Sequence, residues 1–282
     1  MIDPLQPFRL SAWRLIAYSA LALFIALTFF PFIFMIMTSL KSIFQFYHNF
    51  WTPTWPLHFQ NYVEVFPVIA RYIINSIFVT FISVLGIVFL GALSGFIFAR
   101  FSFPGKKVLF YAVIMLMMVP WILTLIPSFI VVKRLNLLNT YWVMILPYIS
   151  GGQVLAIYIF HSFFKTLPEE LFESARMDGA GYFQQFWYIG AAMSRPVIGL
   201  VAIISSLAVW NNFIWPLVTT TDDRISVLTV GVMRFSTSYS FGSIKHGELF
   251  AGYTIASIPL LIIFLLATKQ FMRGITSGAL KG

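Results

Sequence analysis

The sequence predicts an all-α integral membrane protein with six transmembrane helices, and three observations lead there. Charged residues make up 10% of the chain and hydrophobic ones 60%, whereas a soluble domain typically has about a quarter of its residues charged. The few charges divide the sequence into long uncharged stretches, six of which are predominantly apolar. Each of these reaches the ~20 residues that cross a ~30 Å hydrocarbon core as a helix. A transmembrane β-barrel would instead alternate apolar and polar residues over segments of about ten.

The spans are expected at 15–40, 72–99, 108–132, 141–164, 196–218 and 249–271, with 1–282 forming a single membrane domain. Arg9 and Arg14 followed by an apolar run look like a secretory signal. The run is too long for a signal's apolar region and lacks a small-residue cleavage site, so a retained first helix is expected. Segment 42–63, "SIFQFYHNFWTPTWPLHFQNYV", is uncharged but carries Pro, His, Asn and Gln among its aromatics. It suits a loop at headgroup level. Segment 179–194 is too short and too rich in Gly and Gln to span. Pro31, Pro120, Pro127, Pro147 and Pro259 lie in or near the spans. Membrane helices tolerate proline where neighbours satisfy the freed carbonyls, and the Pro120–Pro127 pair marks the third span as a candidate kinked pathway helix.

The net charge of +9 is accounted for by topology, and no nucleic-acid partner is expected. With both termini on the cytoplasmic side of an inner membrane, eleven Lys and Arg fall inside and seven outside, the bias that sets orientation. The outer connections are then 41–71, 133–140 and 222–248, and the inner ones are the turn "RFSFPGKK" at 100–107 and the segment 165–195. Cysteine is absent, so neither disulfides nor thiolate metal sites are available, and the redox compartment is not legible.

That last inner segment is the exception in an oily chain. Four of the nine acids, Glu169, Glu170, Glu173 and Asp178, fall inside ten residues. Thr166 is a candidate cap, Pro168 suits a first turn, Glu169 stands at the capping-box position, and the acids suit the positive end of a helix dipole. Gly179 should end the helix and Gly181 free the chain for another. Phe172, Ala175 and Gly179 form a slim face at helical spacing, beside a charged edge of Glu170, Glu173 and Met177. On the residues alone this is either a solvated connector kept soluble by its acids, which is the simpler reading, or a short helix whose slim face enters a cleft of another protein.

The segment resembles the cytoplasmic loop of binding-protein-dependent ABC importers, whose signature runs Glu-Ala-Ala, three residues, Gly, nine residues, Ile, one residue, Leu-Pro. Glu173, Ser174 and Ala175 are followed at that spacing by Gly179 and Ile189. Ser174 replaces the first Ala, and Ala191–Ala192 stand where Leu-Pro is expected. "ARMDGAG", "MSRP" and "LNLLNTYWVMILPY" are similar to segments of the carbohydrate branch of these permeases. "WNNFIWPL" resembles that branch's Trp-Asn-Asp-Phe-x-Trp-Pro, with Asn212 for Asp. The ending "GITSGALKG" looks like the tail of the second permease of a maltose/oligosaccharide-type pair.

The resemblance implies a type I ABC importer permease fold and a carbohydrate substrate. It implies a second homologous permease, a cytoplasmic ATPase dimer that binds ATP and Mg, and an extracytoplasmic solute-binding protein touched by 222–248. The coupling residues would be Glu173, Ser174, Ala175, Asp178, Gly179 and Ile189, with Glu173 paired to a basic residue of the ATPase. Gly274, Gly278 and Lys281 of the tail would reach the ATPase interface. The alternatives are the same machinery for a phosphorylated polyol, amino acid or peptide, and a non-transporting scaffold that recruits an ATPase.

The chain itself is not expected to be an enzyme, for it lacks a Walker A sequence, His-Glu-x-x-His and paired-cysteine metal spacings. No span carries a carboxylate, which argues against a proton- or sodium-coupled carrier. His161, near the end of the fourth span, suits an interfacial hydrogen bond. A sugar pathway combines aromatic faces with amides, and Asn75, Trp121, Gln153, Tyr158, Trp210, Asn211, Asn212 and Trp215 are the candidates. Interfacial belts and helix-joining hydrogen bonds use the same residue types.

Overall fold

The structure, a computed structural model, describes residues 12–240 and 245–279, with side chains described over 13–239 and 245–265. Among the described residues there is no β-strand. Four helices are individually long and apolar enough to cross a membrane, at Trp13–Ser39, Gln60–Arg100, Trp142–Phe164 and His246–Leu265. Counting each of two bent pairs as one span gives up to six: Lys106–Met118 with Trp121–Arg134 at 105°, and Tyr182–Ala191 with Arg195–Trp210 at 79°.

The expected third and fifth spans are therefore corrected. The third, 108–132, breaks at Val119–Pro120. Proline has no N–H to continue the ladder and disfavours helical backbone before it, and Val119 is accordingly extended at φ −83° and ψ 113°. Pro31, Pro127, Pro147 and Pro259 stay inside continuous helices. The fifth, 196–218, stops at Trp210 and resumes at Ile214. Pro216 offers no N–H there, and the Asn212 side-chain oxygen instead accepts the Trp215 amide at 3.2 Å.

The chain divides into two compact units, one of Met1–Pro67 and Phe235–Ser257, the other of Val68–Arg234 and Ile258–Gly282. In the first, helix α1 (Ala12–Ser39) leads to Ser42, which caps the short α2 (Ile43–His48) through a reciprocal bond with Gln45. The remainder of 42–59 is loop, with Trp51 and Trp55 exposed as suits a headgroup layer. Buried Lys41 directs its ammonium to the carbonyls of Asn49 and Phe50 at 2.7 and 2.9 Å. Asn61, in the first turn of α3 (Gln60–Arg100), donates to the Ser39 and Lys41 carbonyls.

The second unit is organised around α3 and α6 (Trp142–Phe164). A Cβ on Gly91 would lie 2.5 Å from the Ala156 Cβ, and one on Gly95 2.6 Å from the Phe160 Cβ. Small residues four apart let membrane helices approach this closely. From that seam two apolar clusters extend. One gathers Phe96, Phe160, Phe164, Phe172 and Phe186, and the other Val79, Val143, Ile145, Val209, Trp215 and Val230.

The expected outer loop at 222–248 is also corrected, since it contains helix α11 (Leu228–Ser240). Val227, Leu228 and Val230 are buried, and that apolar run draws the segment into the fold. α3 receives it with polar side chains. Tyr72 donates to the Asp223 carboxylate at 2.9 Å, Asn75 donates to the Arg224 and Ser226 carbonyls at 2.9 Å, and Ser76 accepts the Leu228 amide at 2.7 Å.

Candidate functional site

Residues 165–195 form a compact structure at the C-terminal end of α3. Helix α7 (Glu169–Met177) begins at Pro168 without a side-chain cap. The expected Thr166 cap is absent because its hydroxyl bonds back to the Phe163 carbonyl at 2.7 Å, ending α6 instead. The helix stops as expected, with Gly179 at φ +81°, a conformation open to glycine at little cost. The chain continues through a helical turn at Tyr182–Gln184 and a π-helical stretch at Gln185–Ala191. In that stretch Gln185 reaches back to the Ala180 carbonyl at 2.9 Å.

The slim face does not project as expected. Phe172 is 1% exposed, with its ring 5.9 Å from that of Phe96. An aromatic this large gains more from its own chain's core than from solvent. Ile189 packs against the same cluster, and Ala175 is half-buried. What faces outward is the charged edge: Glu170 and Glu173 are exposed, and Met177 is 88% exposed. Glu173 has a loose ion pair with Arg176 at 3.9 Å, Ser174 bonds its hydroxyl to the Glu170 carbonyl, and Asp178 closes the helix with its backbone N–H. The loop thus presents a fixed, acidic, short helix edge on an aromatic foundation.

Arg100, the last residue of α3, holds this loop. Its guanidinium lies 4.2 Å over the Phe172 ring and donates to Glu169 at 2.7 Å and to the Leu167 carbonyl at 2.6 Å. Sequence reasoning had counted Arg100 only as a topological charge. Nothing local in the sequence marks a contact to residues 67 and 69 positions away.

A cavity of about 660 Å³ lies elsewhere in the second unit, among α5 (Trp121–Arg134), α6, α9 (Arg195–Trp210) and α10 (Ile214–Thr219). Three of the expected pathway residues, Trp121, Asn212 and Trp215, line it. The Trp215 indole is pinned by a bond to the Val143 carbonyl at 2.8 Å. The others are not brought together there. The Asn75 amide is spent on the 224–226 carbonyls and on accepting the Tyr141 hydroxyl. Asn211 bonds back to Leu207, Trp210 is buried, and Gln153 makes long 3.5 Å contacts to the Gly86 and Ile87 carbonyls. Tyr158 is exposed. Sequence reasoning missed Thr124, Ser128, Tyr148, Ser150 and Ser205, which also line the cavity. The Tyr148 hydroxyl is buried without a hydrogen-bond partner, and its only sequence signal was a tyrosine inside an apolar span.

His161 is buried against the Phe110 ring at 4.0 Å. Of the tail residues, Gly274 and Gly278 fall in α12 (His246–Ala279) beyond its described side chains, and Lys281 lies outside the described residues.

A family model described as "Binding-protein-dependent transport system inner membrane component" matches residues 87–277. The chain is 28% identical over 268 residues to the diacetylchitobiose uptake system permease protein NgcG of Streptomyces coelicolor, covering 94% of this chain and 88% of that one. It is 30% identical over 203 residues to the sn-glycerol-3-phosphate transport system permease protein UgpE of Yersinia pestis bv. Antiqua, covering 72% and 71%. A solved bacterial ABC transporter involved in import of the acidic polysaccharide alginate has a chain that superimposes with a TM-score of 0.76 at 18% identity, over 95% of this chain and 99% of that one. That last likeness speaks to fold. The family model covers more than half of the chain, and the chain therefore belongs to the inner membrane components of binding-protein-dependent transport systems, as a transport permease and not an enzyme.

Proposed function

We propose that this chain is one permease of an ATP-driven carbohydrate importer, a single membrane domain over 1–282 that forms half of the translocation pathway. The observation that carries the proposal is the acidic edge of α7, with Glu170, Glu173 and Met177 exposed on a helix whose opposite side is anchored by Phe172. A short stiff helix of this kind suits docking to a cytoplasmic ATPase dimer, which would bind the ATP and Mg. Glu173, Ser174, Ala175 and Asp178 belong to the docking edge, and Gly179 and Ile189 to its support. A second, related permease would complete the pathway. A solute-binding protein would meet the 222–248 side, and the tail with Gly274, Gly278 and Lys281 would reach toward the ATPase. Both termini are then cytoplasmic in an inner membrane, the side with more Lys and Arg.

Kinship to a glycerol-phosphate permease keeps a phosphorylated polyol as a second reading. The cavity favours the first. Its described lining contains no Lys, Arg or His, and a phosphate group calls for charge-assisted partners. Indole faces with Ser, Thr, Tyr and Asn suit a neutral polyhydroxylated solute.

The test is reconstitution of the complex with its binding protein, native and Glu173→Ala, reading ATPase copurification and solute uptake together. Weakened docking or uptake is expected in the variant. Equal copurification with unchanged uptake counts against the coupling role, and a native complex that recruits an ATPase but moves no solute supports a scaffold instead.

A further inference from the structure

We propose that Arg100 is the positioning residue that transmits movement between the α7 docking helix and the membrane helix α3, an inference that rests on the coupling role just assigned to α7. Three kinds of contact converge on this one side chain, itself 11% exposed. Its two terminal nitrogens hold the Glu169 carboxylate at 2.7 Å and the Leu167 carbonyl at 2.6 Å. Its Cζ lies over the Phe172 ring, 4.2 Å from the centroid, within the range of a cation–π contact. Leu167 lies before the α7 N-terminus, Glu169 opens the helix, and Phe172 sits one turn on. A single guanidinium therefore grips the entry, the first turn and the buried face of α7 together. A planar fork that bonds and stacks at once is a property of arginine that lysine lacks.

Among the described residues, the other side-chain contact between α7 and α3 is apolar and non-directional. Phe172 meets Phe96 at 5.9 Å in a tilted arrangement, and rings so packed can slide. A charge-assisted bond resists displacement in a defined direction. Movement of the docking edge would then reach α3 through Arg100, and from α3 pass to α6 across the Gly91 and Gly95 contacts. The Arg100 Nε is buried with no hydrogen-bond partner, so the grip is made by the outer fork alone.

The experiment uses the complete complex in proteoliposomes and reads two quantities, ATP hydrolysed and solute taken up. Arg100→Leu is expected to leave ATPase copurification intact while uptake per ATP falls about tenfold or more, because the bonds to Glu169 and to the Leu167 carbonyl and the contact with the Phe172 ring are all lost together. Arg100→Lys should recover part of that loss, since it keeps the charge but not the second bond and the stacked plane. Unchanged uptake per ATP in Arg100→Leu overturns the proposal. Should that variant fail to accumulate, Phe172→Leu provides the same readout. It keeps an apolar side chain but removes the ring under the cation, and full coupling in it likewise overturns the proposal. A native complex that recruits no ATPase sinks the reading of α7 itself, and the Arg100 role with it. A native complex that couples, beside an Arg100→Leu complex that couples equally, sinks the Arg100 role alone.

Discussion

Helix α3 grips a distant segment at two places, and the grips are chemically unlike. Near its middle, Tyr72, Asn75 and Ser76 hold residues 223–228 largely by hydrogen bonds between neutral side chains and backbone groups. At its C-terminal end, Arg100 holds residues 167–172 by a charge, a carbonyl and an aromatic face. Asn75 and Ser76 are buried, while the Glu169 partner of Arg100 is 52% exposed. A buried backbone N–H or C=O left unpaired loses its hydrogen bond with nothing in exchange. The first grip is therefore a permanent part of the fold. The second sits at the water boundary, where an ion pair costs less to strain and re-form. The two differ as a joint differs from a weld.

That distinction can be broken by three substitutions. The largest effect is expected from Asn75→Leu, which strips partners from the Arg224 and Ser226 carbonyls and from the Tyr141 hydroxyl. A loss of about 3 kcal/mol is expected from several buried groups left unpaired. Thermal unfolding of the purified protein should show it, and uptake and hydrolysis should fall together, in step with folded protein. A normal melting temperature with uncoupled transport would contradict the weld. Ser76→Ala removes one acceptor, leaving the Leu228 amide unpaired, and about 1–2 kcal/mol is expected on the same measurement. Smallest in stability is Glu169→Gln. Its ion pairs to Arg100 and Arg176 are half-exposed, and such pairs are worth about 0–1 kcal/mol. Melting should barely move, and the variant should lower uptake per ATP less than Arg100→Leu does. A drop in stability as large as that of Asn75→Leu would erase the contrast between the two grips.

The comparison also explains what reading the sequence could and could not reach. Glycine ended α7 where expected, because a left-handed backbone at Gly179 is a local matter. The break at Pro120 was legible as a kink but not as a 105° turn, since the angle depends on what the two halves pack against. The Gly91–Gly95 spacing was available as a small-residue pattern and went unread. Phe172 was misplaced outward because helical spacing defines a face without saying which neighbour covers it. Asn75 and Asn212 look alike in sequence, yet one is spent on a backbone segment 151 residues away and the other lines the cavity.

By itself the sequence determined the helical class, the apolar segments of membrane-crossing length and the presence of an acidic helix at 169–177. These follow from the solvation of side chains and the local limits of proline and glycine, which act over a few residues. Tertiary structure alone decided which face of that helix is buried, that Arg100 rather than any residue of the loop clasps it, and that 223–228 bonds to α3. Those outcomes depend on which long-range partner satisfies a given polar group or aromatic ring, and no local pattern encodes the partner's position.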